Sequence, residues 1–312
     1  MGIYRLKPAC KDYLWGGHKL VDDYGIDFDG DICAEAWLLS CHEDGKSVVA
    51  EGEYKGRTLN ELIDILGKEC LGIDCRDKED FPILIKLIDA RKPLSIQVHP
   101  DEAYARANEG QHGKTEMWYV LDAEEGAYLY RGFDREIGKE EFEKRISDNT
   151  LEEVLHKDYV KRGDVLFITP GTLHAIGGGI LLAEVQQSSN VTYRIYDYGR
   201  VDADGKTRPL HIRQALDVTR LEKPQGYVSK DGYLLSCDYF VVGHETVTGD
   251  SSFRCNADER SFGSIVFLEG SAEVTCQGES IKAKKGESLF VTAGSGEVVI
   301  DGEAEVLITW VP

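Results

Sequence analysis

The chain has 312 residues, of which 42% are hydrophobic, and it carries a formal net charge of −20 at pH 7. This length exceeds the usual size of one domain and predicts two packed units with a sizeable core. The negative charge argues against nucleic acids and anionic membranes as partners, because both bind clustered positive charge. A phosphorylated ligand would therefore need a local basic pocket.

The cysteines and the N-terminus indicate a cytoplasmic protein. The eight cysteines contain no CxxC pair and are too sparse for a disulfide scaffold, so we expect reduced thiols. No apolar run approaches the ~20 residues of a transmembrane helix. The first residues also lack the apolar segment of a secretory signal.

In chain order, short apolar segments separated by turn residues predict more strands than helices. The predicted strands are residues 36–40, 118–121, 127–130, 165–169, 233–236, 265–268, 289–292 and 306–310. The predicted helices are 59–66, where Thr58 and Glu61 suit a capping box, 101–108, 139–156 with a break near 147–149, and 212–218. The predicted fold class is mainly β, a sandwich or barrel with a few short helices.

An internal repeat suggests that one β unit has been duplicated. Residues 163–171 (GDVLFITPG) and 286–294 (GESLFVTAG) are identical at five of nine positions. Convergent strand-and-turn patterning is the alternative explanation. His174 follows the first copy, whereas Glu297 stands at the same offset after the second. The C-terminal unit is therefore expected to keep the fold and to lack the site.

Three segments predict a metal site in the N-terminal part. In residues 94–100, strand alternation places Gln97 and His99 on one face, away from the apolar side chains. Glu116 leads into a second strand, and His174 follows a Pro-Gly turn. Each residue alone has an ordinary structural explanation. The ordered set offers nitrogen and oxygen ligands that suit Zn²⁺ or another divalent first-row ion.

The same segments resemble those of one enzyme family. Residues 81–101 (FPILIKLIDARKPLSIQVHPD) resemble the signature block of type I mannose-6-phosphate isomerases, in their short bacterial form. Residues 113–119 (GKTEMWY), 169–175 (TPGTLHA) and 184–194 (EVQQSSNVTYR) are similar to other blocks of this family, as are 15–17 (WGG) and 34–37 (AEAW). The resemblance covers roughly residues 8–215, and the C-terminal unit matches only in general character.

The resemblance implies a fold, a reaction and a cofactor. The fold is two cupin-type jelly-roll (double-stranded β-helix) units: a catalytic domain, 1–222, with a small helical insertion at about 132–161, and a degenerate domain, 223–312. The reaction is the interconversion of D-mannose 6-phosphate and D-fructose 6-phosphate through an enediol or enediolate. The cofactor is one Zn²⁺ per chain, held by Gln97, His99, Glu116 and His174.

Further residues receive roles in this reaction. The resemblance assigns Arg194 as the catalytic arginine, suited to stabilising an oxyanion, and Lys114 should share the strand face of Glu116. Glu184 is a candidate for proton transfer, and the identity of the base stays open. Candidate phosphate contacts are Ser95, Lys86 and Arg200, with Lys206 a weaker one. The family commonly has lysine where this chain has Arg200, and arginine cannot donate a proton at neutral pH.

Two other functions are compatible with a cupin fold. A non-catalytic sugar- or metal-binding cupin would keep the metal ligands but would not need Lys114 and Arg194 together. A cupin oxygenase would typically begin its ligand set with His-x-His, whereas this chain has Gln97-x-His99. We expect a small phosphosugar as the binding partner and a monomer or homodimer as the assembly.

Overall fold

The computed structural model describes residues 2–201, 205–229 and 231–312. Its strands are β1 (Ile3–Lys7), β2 (Ala9–Lys11), β3 (Glu35–Leu39), β4 (Val48–Val49), β5 (Ile83–Ala90), β6 (Ile96–Val98), β7 (Glu116–Ala123), β8 (Tyr128–Phe133), β9 (Leu155–Tyr159), β10 (Val165–Ile168), β11 (His174–Ile176), β12 (Ile180–Gln187), β13 (Tyr193–Tyr196), β14 (Leu235–Ser236), β15 (Val241–Val247), β16 (Phe253–Ala257), β17 (Gly263–Cys276), β18 (Glu279–Lys284), β19 (Ser288–Val291) and β20 (Gly296–Trp310). Its helices are α1 (Lys19–Asp22), α2 (Leu59–Leu66), α3 (Glu102–Glu109), α4 (Lys139–Ser147) and α5 (Ile212–Val218). Each helix of the described chain is far shorter than a bilayer-spanning segment. The mainly β class is confirmed.

The chain divides into two compact units. Unit 1 contains Met1–Lys11, His18–Leu87 and Val228–Pro312, and unit 2 contains Asp12–Gly17 and Ile88–Tyr227. The predicted boundary near residue 223 lies close to the point where the chain enters the last segment of unit 1. The sequence did not indicate that His18–Leu87 groups with the C-terminal residues.

Unit 1 is built on a nine-stranded sheet. Its strand order is β14-β15-β20-β17-β19-β1-β4, with β16 paired to β20 and β18 paired to β17. The N-terminal strand belongs here because it pairs with β19, placing Ile3 opposite Val291. Both side chains are buried in one apolar cluster with Ile265 and Leu289. That shared core explains why the two ends of the chain fold together.

Unit 2 carries a five-stranded sheet in the order β13-β6-β11-β8-β9 and an antiparallel set, β10-β7-β12. Alternation sorts the side chains of the five-stranded sheet into two faces. Ile96 and Ala175 belong to an apolar cluster with Phe142 of α4 and Ala215 of α5. Gln97 follows Ile96 in β6, and His174 precedes Ala175 in β11. Because side chains alternate along a strand, Gln97 and His174 lie on the opposite face of the sheet.

Local sequence explains where α2 and α3 begin, which is close to the predicted positions. Thr58 accepts a hydrogen bond from the backbone of Glu61, and the Glu61 side chain accepts one from the backbone of Thr58, which is the predicted capping box. The Asp101 side chain caps α3 by accepting from the backbone of Tyr104.

The predicted helical region 139–156 breaks where expected, near 147–149, and is wrong at its end. Helix α4 ends at Ser147, a 3₁₀ turn covers Leu151–Val154, and His156 lies in β9. Asn149 has a φ of +56°, which ends helical continuity. From Leu155 onward, side-chain burial alternates and the backbone pairs with β8, so strand pairing overrides the charged, helix-like composition.

The repeat occupies matching structural positions in the two units. Gly163 and Gly286 have φ of +89° and +85°, and they lead into β10 and β19 respectively. Ile168 of β10 pairs with Glu116, and the equivalent Val291 of β19 pairs with Gly263. The second copy therefore has glycine where the first has the acidic candidate ligand.

All eight cysteines lie in described residues and are free thiols. Five of them are buried, and burial raises the pKa of Cys70 and of Cys75 to about 11. These two thiols are therefore protonated at neutral pH, which is typical of packing residues rather than of reactive cysteines.

Candidate metal centre and active site

Three neighbouring strands of unit 2 place three predicted site residues in one row. Arg194 of β13 is paired with Gln97 of β6, and Gln97 is paired with His174 of β11. Directly opposed residues of antiparallel strands project from the same face of a sheet. The row therefore runs from a guanidinium, through an amide, to an imidazole.

His99, Glu116 and His174 form a fully buried cluster. One ligand atom from each lies within 4.8 Å of the others. The Nε2 atom of His99 is 3.5 Å from Oε1 of Glu116, and the Nε2 atom of His174 is 3.6 Å from its Oε2. Three of the four predicted ligands are thus brought together.

Backbone carbonyls fix the orientation of both imidazoles. His99 Nδ1 lies 2.7 Å from the carbonyl oxygen of Val191, and His174 Nδ1 lies 2.9 Å from that of Thr172. A carbonyl oxygen only accepts hydrogen bonds, so each Nδ1 carries the proton and each Nε2 directs a lone pair into the cluster. Metal-binding histidines are commonly oriented in this way.

The charge state of the cluster also suits a cation. Burial and the neighbouring Lys114 ammonium lower the pKa of His99 to about 3, and burial lowers the pKa of His174. Burial alone would raise the pKa of Glu116, but Lys114 holds it well below its usual range. At neutral pH the cluster is therefore one carboxylate with two neutral imidazoles, the form that binds metals.

Glu116 has one oxygen that the protein leaves without a hydrogen bond. Its Oε2 is buried and has no hydrogen-bond partner among the described residues. A buried polar atom without a partner is costly and requires an explanation. A divalent cation at the centre of the cluster would satisfy this oxygen, so the residues present fit such an ion.

Gln97 is half-buried beside the cluster. Its Nε2 atom lies 3.4 Å from Nε2 of His174, and its Oε1 atom lies 3.4 Å from the hydroxyl of Ser95. As a ligand, Gln97 would have to present its oxygen to the metal. Half a turn of the planar amide exchanges the oxygen and nitrogen without changing the shape of the side chain.

Lys114 lies inside the cluster. Its ammonium donates a hydrogen bond to Oε1 of Glu116 and lies 3.3 Å from Nε2 of His99. Lys114 precedes β7 by two residues, and its side chain reaches that of Glu116, as the spacing of the two residues predicts.

Glu184 is linked to the cluster through another side chain, that of Trp118. It is buried, and its Oε2 accepts a hydrogen bond of 2.8 Å from the indole N–H of Trp118. That indole packs edge-on against His174, with ring centroids 5.4 Å apart. Trp118 therefore connects Glu184 to the cluster.

Arg194 and Ser95 are in contact beside Gln97. The Nε atom of Arg194 donates to the Ser95 hydroxyl at 3.3 Å, and its Nη1 donates to the carbonyl oxygen of Pro209 at 3.2 Å. The guanidinium is part-buried, and this burial lowers the pKa of Arg194 from its high ordinary value. Arginine stays charged in proteins, so this group is a fixed cation near the cluster.

The other predicted basic residues occupy different surroundings. Arg200 binds Asp197 in unit 2, whereas Lys206 is exposed. Lys86 belongs to unit 1, where its ammonium lies 3.6 Å from Glu35 and over the ring of Trp37.

Sequence reasoning missed several residues that shape this region. Trp118 was recognised only as part of a strand, and Asp197 and Arg208 were not singled out. The Asp197 carboxylate accepts hydrogen bonds from both Arg200 and Arg208. The available signal was an acidic residue three positions before an arginine. The partnership with Arg208 depends on the antiparallel bridge between Val201 and Thr207.

The β architecture and the buried His-Glu-His cluster define a cupin-class protein with the donor set of a divalent metal site. Residues 3–129 match the family model described as phosphomannose isomerase type I, catalytic domain. Residues 230–311 match the model described as mannose-6-phosphate isomerase, cupin domain. The resemblance therefore extends into the C-terminal unit, beyond the expected limit near residue 215.

Individual relatives agree with the family models. The mannose-6-phosphate isomerase of Streptococcus mutans is 36% identical over 298 residues, covering 92% of this chain and 91% of that protein. The mannose-6-phosphate isomerase ManA of Bacillus subtilis is 35% identical over 317 residues, covering 97% of each chain. A crystal structure of the mannose 6-phosphate isomerase from Bacillus subtilis superposes with a TM-score of 0.91 at 33% identity, covering 99% of both chains. The chain belongs to the type I mannose-6-phosphate isomerase family.

Proposed function

We propose that this protein interconverts D-mannose 6-phosphate and D-fructose 6-phosphate by moving a proton between C1 and C2. The observation that carries this proposal is the placement of two cations beside the buried cluster. Lys114 contacts two of the three candidate ligands, and Arg194 stands in the same cross-strand row as His174. A cupin that only binds a metal or a sugar has no need for both cations.

We propose Zn²⁺ as the ion, one per chain, bound by His99, Glu116 and His174 with Gln97 as a weaker fourth ligand. Mixed nitrogen and oxygen ligands without thiolate suit zinc, and they also accept other divalent first-row ions. When bound, such an ion supplies Lewis-acid polarisation of the substrate oxygens at C1 and C2. The rest of the chemistry falls to protein side chains.

The isomerisation needs an electrophile and a group that carries the proton. In this proposal Arg194 stabilises the negative oxygen of the enediolate, since its charge is permanent and its position is fixed by Ser95 and Pro209. Lys114 and Glu184 are the proton-transfer candidates. Lys114 is the more direct of the two, because the contacts of Glu184 reach the cluster through Trp118.

The phosphate end of the substrate is assigned to Ser95 and Arg200, with Lys86 as a further candidate. Ser95 already accepts a hydrogen bond from Arg194 and contacts Gln97, so its hydroxyl lies on the substrate side of the row. Lys86 would have to leave Glu35 to bind a phosphate, which makes its role the most demanding of the three.

We further propose that residues 1–222 supply the catalytic residues and that 223–312 bind no metal. We also propose that the protein is cytoplasmic and acts as a monomer or homodimer. The second copy of the repeat supports the domain assignment, because Gly263 and Glu297 stand at the positions of Glu116 and His174.

An anaerobic assay with mannose 6-phosphate tests the proposed reaction against its alternatives. The proposal expects fructose 6-phosphate to accumulate without oxygen, and an equivalent approach to the same equilibrium from fructose 6-phosphate. Activity that requires oxygen would indicate an oxygenase. Tight sugar-phosphate binding without turnover by the zinc-loaded protein would indicate a binding module.

A further inference from the structure

A buried carboxylate next to the catalytic row is held between two arginines. Asp197 is 6% exposed. Arg208 donates to both of its oxygens, with Nε 2.7 Å from Oδ2 and Nη2 2.6 Å from Oδ1. Arg200 donates to Oδ1 from Nε at 3.1 Å and also from Nη2. One carboxylate therefore orients two guanidiniums.

The segment that carries Arg208 is also tied to Arg194. The carbonyl oxygen of Pro209 accepts from Nη1 of Arg194, and the backbone N–H of His211 donates to the carbonyl oxygen of Arg194 at 2.8 Å. The Arg194 guanidinium also interacts electrostatically with Asp197. One carboxylate is therefore bound by two guanidiniums and interacts with a third. This local excess of positive charge stands out in a chain with a net charge of −20.

The two arginines differ in how many donors they have left for a ligand. Arg200 places Nε and Nη2 on Asp197 and Nη1 on the carbonyl oxygen of Pro93, at 2.7 Å. The bonds from Arg208 to Asp197 use Nε and Nη2, while a guanidinium carries five N–H donors. The Nη1 amino group of Arg208 is not used in this pairing, whereas Nη1 of Arg200 is bonded to Pro93, so Arg208 is better placed than Arg200 to bind an anion.

A cavity in unit 2 gives an anion access to this pair. It is lined by Arg200, Arg208 and Asp197 on one side and by the loop residues Tyr13, Leu14 and Trp15 on the other. The rings of Tyr13 and Trp15 stack with centroids 5.6 Å apart and form an aromatic part of the lining. Asp12 also lines the cavity but is exposed, so solvent screens its charge.

We propose that Arg208 is a further phosphate-binding residue of the substrate site, beside Arg200, and that Asp197 positions both guanidiniums. This inference rests on the proposed function, because it assigns the phosphate of the sugar to the cavity beside Asp197. Guanidinium groups bind phosphate oxygens through paired, charge-assisted hydrogen bonds. Arg194 connects the two groups of residues, because it is paired with Gln97 across strands and interacts electrostatically with Asp197. This order of contacts suits a hexose with its reacting carbons at one end and its phosphate at the other.

The test combines kinetics with binding of inorganic phosphate to the zinc-loaded protein. Arg208→Ala should raise KM for mannose 6-phosphate and the Kd for inorganic phosphate on the order of ten- to a hundredfold, with kcat changed little. Arg208→Lys should recover part of both losses, because it keeps the charge but not the paired geometry. Asp197→Asn should raise the same two constants, since both arginines lose their shared partner. Arg213→Ala, which removes an exposed arginine from α5, is the charge-matched control and should change neither.

Several outcomes would overturn the assignment. KM and phosphate affinity unchanged in Arg208→Ala would exclude a phosphate contact. A lower melting temperature with normal KM would show that Arg208 has a purely structural role. If Arg208→Ala does not fold, KM, phosphate affinity and melting temperature are measured for Arg208→Lys and interpreted in the same way. The phosphate titration by calorimetry needs no turnover. If the wild-type protein lacked isomerase activity but bound phosphate through Arg208, the proposed reaction would fail while this site stood.

Discussion

His99 and His174 show how backbone contacts prepare a side chain for chemistry. Each ring uses Nδ1 on a carbonyl oxygen, of Val191 and Thr172 respectively, which leaves Nε2 directed at Glu116. Because both rings are buried and neutral, the cluster needs no proton release from histidine to accept a cation at neutral pH. The orientation is therefore set by the fold before any ion binds.

Replacing one ring should remove the metal without removing the fold. His174→Ala is expected to lose most bound zinc and most activity, since a carboxylate and one imidazole bind zinc far more weakly than the complete set. The far-ultraviolet circular dichroism should keep its β signature, because the apolar clusters of both units are unchanged. Metal analysis and activity on the same preparation check this, with His18→Ala as the control on a half-exposed histidine. A His174→Ala protein with full metal and a normal rate would remove this residue from the site.

The role of Arg194 can be determined from the separate effects of its replacement on kcat and KM. If it stabilises the enediolate, its interaction is stronger in the transition state than with bound substrate, so the loss in Arg194→Ala should fall on kcat with little change in KM. Losing one such electrostatic donor typically costs on the order of 10²–10³ in rate, about 3–4 kcal/mol. Arg194→Lys should recover little, and the metal content should stay normal. The measurement is steady-state kinetics with a zinc assay and a thermal melt.

Other outcomes would assign Arg194 differently. A large rise in KM with kcat nearly intact would make it a phosphate anchor. A loss of stability that precedes any loss of rate would make it a structural residue.

At the scale of elements, the connection from α3 to β7 fixes where Lys114 and Glu116 enter the site. Glu102, in the first turn of α3, accepts hydrogen bonds from the backbone N–H of Gly113 at 2.9 Å and from Nδ1 of His112 at 2.9 Å. Gly113 lies against the helix so closely that a Cβ there would come within 2.4 Å of the Glu102 nitrogen. A single carboxylate thus joins the helix to the residue before Lys114.

This contact predicts a pH-dependent contribution to stability. Burial would raise the pKa of Glu102, but the bonds from Gly113, His112 and Arg106 outweigh it and lower the pKa below the ordinary 4.5. The folded state therefore favours the carboxylate, so the stabilisation is complete well above pH 4.5 and is lost as the pH falls through the folded pKa. Glu102→Gln should lower the free energy of unfolding at pH 7 by about 1–3 kcal/mol.

Urea unfolding of both proteins between pH 7 and pH 4 measures this difference. The difference in the free energy of unfolding between wild type and Glu102→Gln should become smaller as the pH drops below about 4.5. If this difference were the same at every pH, the ionised carboxylate would contribute no more to stability than the amide that replaces it.

The elements themselves were predictable where local chemistry decides them. The capping box of α2 and the strand positions of the repeat follow from short-range patterns, and the structure confirms them. β17 and β20 run much further than predicted, because Gly270, with a φ of +68°, and a bulge between Phe267 and Glu269 let the strand continue through an apparent turn. Pairing between distant segments, as in β9, cannot be read from one segment alone.

The candidate site shows the same division between local and long-range information. His99, Glu116 and His174 could be identified from the sequence, because strand alternation and the family motifs are both visible within short segments. Asp197 and Arg208 were missed, because their contact depends on the antiparallel bridge between Val201 and Thr207, which brings distant residues of the segment together. Lys86 illustrates the reverse case, since its sequence position suggested the substrate site while its buried contacts are with Glu35 and Trp37.

At the scale of the whole molecule, the two repeat segments share backbone features but differ in the residues that carry chemistry. The glycines that open and close the repeat have positive φ in both copies, whereas Glu116 and His174 correspond to Gly263 and Glu297. Backbone conformation is thus retained where the turns require it. The candidate ligands occur in one copy.

This divergence predicts the metal stoichiometry of the full chain. Wild-type protein should bind one zinc per chain, and a His99→Ala, His174→Ala double variant should bind none tightly. Equilibrium dialysis followed by elemental analysis measures both. A second tight equivalent that survives in the double variant would place a metal site in the C-terminal unit and contradict the proposed division of roles.

Whether the protein is a metal-dependent isomerase is tested most directly by a reactivation titration. Metal-free protein is titrated with Zn²⁺, and mannose 6-phosphate is the substrate. Chelator-treated wild type should produce fructose 6-phosphate at only a residual rate, as detected in a coupled assay. Added Zn²⁺ should restore the rate linearly and reach a plateau at one equivalent per chain. Full activity in protein shown to be metal-free, or zinc-loaded protein that binds the sugar phosphate without forming fructose 6-phosphate, would contradict the central claim of a metal-dependent isomerase.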